Sequence, residues 1–85
     1  MVATIICQRR VDFTDRSGKA VAGWSLYVTY PEDGVDGLKA DSVFIADTAK
    51  VVMPVLHFGQ DYDFVYEQHG FGSRSRNQLV EIKEV

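Results

Sequence analysis

A chain of 85 residues has room for one domain, and a domain of that size buries a modest share of its surface, so a thin stability margin is expected. An apolar share of 46% and a charged share of 25% exclude a disordered or collagen-like chain. The formal net charge of −3 argues against a general polyanion binder, which normally carries a basic surplus.

Taken in order, Val2 to Phe13 is rich in β-branched residues and carries no helix cap, which predicts a strand. Ile5, Cys7, Val11 and Phe13 share one parity, and Gln8, Arg10, Asp12, Thr14 and Arg16 the other. Arg9 falls in the apolar row, which predicts a bulge or an edge position there. Ser17-Gly18 and Gly23 are read as the reversals of a hairpin tip that carries Arg16, Lys19 and Trp24. Trp24 to Tyr30 is the returning strand.

Pro31 to Gly37, with a proline and a pair of Asp-Gly steps, is the strongest turn signal in the chain. It leads into a strand over Lys39 to Ala46. Asp47 to Lys50 has room for a single helical turn, and Pro54 bars a central ladder position for the run after Val51. Tyr62 to Glu67 alternates, with Tyr62, Phe64 and Tyr66 on one face. Gly70-Phe71-Gly72 predicts another reversal, and Gln78 to Lys83 a last strand with Val80 and Ile82 on its apolar side.

Short strands separated by turns, with almost no helix, predict an all-β chain: a small five-stranded OB-like barrel with protruding β-hairpins, over residues 1–85 as a single domain. An SH3-like barrel is the alternative. No apolar run approaches the roughly 18 to 20 residues of a spanning helix. The apolar start Val2 to Cys7 lacks the basic flank and cleavage site of a signal peptide, so a cytoplasmic location is expected. Cys7 is the single cysteine and is expected to be a small buried hydrophobe; together with His57 and His69 it forms no recognisable ligand spacing, so no metal or cofactor is expected.

The charge is unevenly distributed. Arg9, Arg10, Arg16 and Lys19 outnumber Asp12 and Asp15 in residues 1–30, and Arg74, Arg76 and Lys83 outnumber Glu81 and Glu84 in residues 69–85. Residues 31–68 hold Glu32, Asp33, Asp36, Asp41, Asp47, Asp61, Asp63 and Glu67 against Lys39 and Lys50. Basic ends around an acidic middle favour a directed contact with a polyanion over a diffuse one.

The strings Phe13-Thr14-Asp15-Arg16-Ser17-Gly18 and Gly23-Trp24-Ser25-Leu26, followed by Phe71-Gly72-Ser73, resemble the filamentous-phage single-stranded-DNA-binding proteins, the gene V protein family. In that family the first two strings form the DNA-binding hairpin and the third the tip of a dyad hairpin. The resemblance implies a distorted OB-like barrel, a homodimer, and cooperative, sequence-independent coating of single-stranded DNA in a bacterial host cell; since stacking accepts any base, RNA stands beside DNA as a ligand. It implies a phosphate contact for Arg16 and stacking roles for Trp24 and Phe71. Two departures stand out: the loop around Lys19 is shorter, and Arg74-Ser75-Arg76 follows where the family continues with apolar residues.

The expected nucleic-acid-binding residues are therefore Arg10, Arg16, Lys19, Trp24, Tyr30, Phe71, Arg74 and Arg76, with Tyr27 and Tyr30 also suited to simple packing. Aromatic stacking accepts any base, and Arg and Lys supply the salt-sensitive phosphate contacts. An SH3-like protein-interaction module is the alternative function; it also uses Trp and Tyr in a groove, with acidic neighbours. No nucleophile and base arrangement, phosphate loop or carboxylate pair suggests an enzyme or a small-molecule substrate.

Overall fold

The computed structural model describes residues 1–70, 72 and 76–85, apart from the side chains of His69 and Arg76. Within them the chain forms five strands: β1 (Val2–Thr14), β2 (Ala20–Tyr30), β3 (Lys39–Ala46), β4 (Asp61–His69) and β5 (Arg76–Glu84). They lie in one sheet in the order β3-β2-β1-β4-β5, each neighbour antiparallel. The all-β expectation holds. The sheet is open, with β3 and β5 as its edges, so the expected barrel is not closed by strand pairing among the described residues.

The reason lies in β1, which divides its partners. Its start, Val2–Thr4, pairs with β4 opposite Asp61–Asp63, and from Thr4 to Thr14 it pairs with β2. From Cys7 onward β1 has no strand on its other side among the described residues. The chain between β3 and β4 occupies part of the gap. A turn is closed by Ala49 N–H donating to the Ala46 carbonyl at 2.9 Å, and Val52 then makes a parallel bridge to β5, its N–H reaching the Val80 carbonyl at 3.1 Å. Further on, Gly59 N–H donates to the Ile5 carbonyl at 2.7 Å.

The core is a patch on one face of this sheet. Ala3, Ile5, Leu26, Val28, Tyr62, Phe64 and Ile82 are buried, and Val43, Ile45, Val51, Leu56 and Leu79 pack against them. Strand pairing explains the set, because residues directly opposite share a face: Ala3 faces Tyr62, Ile5 faces Val28, and Phe64 faces Ile82. The Tyr62 hydroxyl, buried with its ring, accepts the His57 N–H at 2.8 Å, so its polar end is satisfied. The carboxylate of Asp41 on edge strand β3 also acts on Tyr66 of β4. Burial first, and that charge second, raise the Tyr66 hydroxyl above its usual range.

Two bulges correct the expected faces. In β1 the extra residue is Ile6, since Ile5 pairs with Val28 and Cys7 with Tyr27. The bulge expected at Arg9 thus lies a few residues earlier, and it reverses every later side chain relative to Ile5. Gln8 and Arg10 point to the core side, while Cys7, Arg9, Val11 and Phe13 point away from it. Cys7 is accordingly exposed, not buried. In β5 the extra residue is Val80, so Leu79 instead of Val80 joins Ile82 on the inner face.

Candidate nucleic-acid interface

The β1–β2 hairpin outruns the sheet. Strand pairing of β2 with β3 ends at Gly23 and Ala46; past one further bond, from Asp47 N–H to the Ala22 carbonyl, Asp12–Thr14 and Ala20–Val21 run on as a two-stranded ribbon with no third strand among the described residues. Its tip is Asp15 to Lys19, tighter than the Arg16-to-Trp24 loop expected. The Asp15 carbonyl accepts Gly18 N–H at 3.0 Å, Asp15 N–H donates to the Lys19 carbonyl at 2.9 Å, and Gly18 takes φ +84°. This is a three-residue loop with a left-handed glycine closing it. The Asp15 carboxylate stabilises it by accepting from Ser17 Oγ at 2.6 Å, Ser17 N–H at 2.9 Å and Lys19 N–H at 3.0 Å. Those bonds, the Ser17 hydroxyl foremost, hold its carboxyl below the usual carboxylate range. With Asp15 turned inward to the backbone, Arg16 and Lys19 stand exposed at the tip.

Gly23 is not a turn residue. It lies buried within β2 opposite Val11 and Ala46, without a left-handed φ. Its role is close packing: a Cβ there would stand 2.8 Å from both the Ala46 Cα and the Phe44 Cζ, with the Ile45 carbonyl nearer still. The Phe44 ring lies across the bare backbone on the outer face of the sheet. Phe44 and Phe13 remain 46% and 52% exposed, and Arg9 and Val11 share their face.

Trp24 sits mid-strand instead of at the tip, at the margin of the core face and 40% exposed. It faces Arg10 on β1 and Ile45 on β3. The Arg10 guanidinium carbon lies 5.4 Å from the Trp24 ring centroid, within the range of a cation–π contact. The same guanidinium grips Asp47 with both terminal nitrogens, Nη1 to Oδ1 at 2.7 Å and Nη2 to Oδ2 at 2.5 Å. This two-pronged bond raises Arg10 and lowers Asp47 relative to their usual pKa values. Beside the ring opens a groove of about 400 Å³, walled by Trp24, Leu26, Ile45, Met53, Pro54 and Leu56, with Gln8 as its polar side chain.

The candidate residues do not form one cluster. Arg10 and Trp24 are together. Arg16 lies six residues farther along the hairpin, roughly 20 Å at strand rise. Tyr30 is at the opposite end of β2, facing Lys39 and half-buried against the core, where it packs. Arg76 opens β5 opposite His69, with its side chain outside the described set; Phe71 and Arg74 lie outside the described residues altogether. Among the described residues Arg9, Arg16, Lys19 and Lys50 make no ion pair. The acidic middle is partly neutralised, with Asp47 on Arg10 and Glu32 at 3.2 Å from Lys39.

Sequence reasoning missed Asp47 and Phe44. Asp47 is 37 residues from Arg10 and stood out only as one acid among many. No carboxylate, histidine and cysteine cluster able to hold a metal occurs among the described residues, and no helix among them is long and apolar enough to cross a membrane. The chain matches no protein-family model, no curated protein and no solved structure.

Proposed function

We propose that this protein binds single-stranded nucleic acid without sequence reading, through the β1–β2 hairpin. The observation that carries the reading is a half-exposed tryptophan under a guanidinium, Trp24 and Arg10, on a hairpin whose tip cations Arg16 and Lys19 have no ion-pair partner among the described residues. An aromatic face with phosphate-seeking cations spaced along an extended ribbon suits a flexible, repeating polyanion. The reading agrees with the gene V-like strings in the hairpin and makes DNA in a bacterial cytoplasm the natural ligand. No part of it calls for catalysis or a cofactor.

Dimerisation belongs to the same proposal. Exposed Ile6 and Phe44 on the outer face, and the edge of β1 from Cys7 onward, unpaired among the described residues, leave apolar surface and backbone groups that a second copy would cover. The apolar lining of the Trp24 groove favours a second reading, an SH3-like module for a proline-rich peptide. Oligo(dT) and a proline-rich peptide, titrated side by side while Trp24 emission is followed, separate the two. A response to oligo(dT) that salt abolishes supports strand binding; a salt-insensitive response to the peptide alone supports the other.

A further inference from the structure

Within the strand-binding reading, on which this rests, we infer that Asp47 is an internal competitor for Arg10, and that a strand engages Trp24 by exchanging the Asp47 carboxylate for a backbone phosphate. The guanidinium fork accepts carboxylate and phosphate in the same two-pronged geometry. Here both terminal nitrogens of Arg10 are committed to Asp47, at 2.7 and 2.5 Å. Asp47 is held in position by its own backbone, its N–H donating to the Ala22 carbonyl at 2.9 Å, in the turn that ends β3. The anion is thus presented to β1 from a fixed point across β2.

Two further observations make the contact exchangeable instead of merely structural. Both side chains are open to solvent, 42% and 45% exposed, so an incoming anion reaches them and water screens the bond. Arg10 also differs from its neighbours: Arg9, Arg16 and Lys19 carry no such partner among the described residues, and of these four hairpin cations Arg10, lying over the stacking ring, is the one occupied. While Asp47 holds it there, the guanidinium covers part of the Trp24 face that a base would use. A phosphate drawing Arg10 away from Asp47 frees that face as it forms its own bond. Isolated anions gain only the first contact, whereas a strand gains both, so Asp47 sets a threshold that selects polymers.

The test measures binding of end-labelled oligo(dT) by anisotropy, a readout independent of Trp24, for the wild type, Asp47→Asn, Arg10→Gln and the double variant between 50 and 200 mM salt. Asp47→Ser serves as a second neutral variant, Asp41→Asn as a control for charge alone, and circular dichroism checks folding. The expected result is tighter binding by Asp47→Asn, about threefold, with the log–log salt slope essentially unchanged because Arg10 reaches the same phosphate in both proteins, whereas Arg10→Gln flattens the slope by about 0.7, the mark of one lost phosphate contact. In the Arg10→Gln background that gain disappears. Equal or weaker binding by both neutral variants, an undiminished gain without Arg10, or an equal gain in Asp41→Asn overturns the inference while leaving strand binding intact. Absence of binding by every folded variant removes the strand-binding reading and this inference with it.

Discussion

Gly23 and Phe44 meet across β2 and β3 with no space for a side chain at residue 23: a Cβ there would lie 2.8 Å from the Phe44 Cζ. The contact brings the outer aromatic of β3 onto the hairpin backbone at the row next to Trp24 and Ile45. It lies at the last paired row of β2 and β3, where the two-stranded ribbon begins.

Gly23→Ala is therefore expected to destabilise the fold. Two of the closest atoms belong to the β3 backbone, which moves less readily than a side chain, so the cost falls in the overpacking range of roughly 1 to 3 kcal/mol. Urea unfolding of the variant checks this. Wild-type stability would mean that β3 yields freely at Ala46.

Core and surface positions should separate clearly. Ile5 is fully buried, and Ile5→Ala is expected to cost about 2 to 5 kcal/mol. That is a large part of the roughly 5 to 15 kcal/mol of a small domain. Leu38, 63% exposed, should tolerate alanine within about 0.5 kcal/mol. Thermal unfolding of the two variants gives the comparison.

The tip should respond to acid. Asp15 is depressed in the folded state by the Ser17 hydroxyl and by the backbone N–H groups of Lys19 and Ser17. Its stabilising effect is fully present above the unfolded carboxyl value near 3.8 and is lost as pH falls through the lower folded value. Asp15→Asn should therefore be less stable than wild type at neutral pH, with the difference shrinking below that range. Asp47, lowered by Arg10, should follow the same direction. A carbon-detected NMR titration of both carboxyls reads the shifts directly; ordinary values would contradict the hydrogen bonding described.

Arg16→Ala and Lys19→Ala remove exposed tip cations without touching the core. Each is expected to leave unfolding unchanged and to flatten the salt dependence of oligo(dT) binding by about 0.7 in log–log slope. A loss of stability, or an unchanged slope, would remove the residue from the interface.

Much of the strand layout was legible in the sequence, because β-branched alternation and Asp-Gly turns act locally. Lys39–Ala46 was read to its ends, and β4 and β5 to within a few residues. The start of β2 was misplaced because glycine serves two purposes. Gly18 supplies a left-handed turn, whereas Gly23, read as another reversal, gives room for Phe44. The Ile6 bulge was hidden in an apolar run where any residue could be the extra one; only Arg9, out of place in its row, hinted at a shift. In the candidate site, Trp24 and the tip cations could be picked from residue type and turn signals. Their separation, and the hold of Asp47 on Arg10, depend on how β3 returns beside the hairpin, which no local pattern encodes.

The central claim rests on Trp24, the single tryptophan of the chain, so its emission reports on one site. Titration with oligo(dT) at low salt, followed by addition of salt to the complex, is the most direct measurement. The expected result is saturable quenching that salt reverses. Unchanged Trp24 emission at low salt, from protein shown to be folded, would contradict the account.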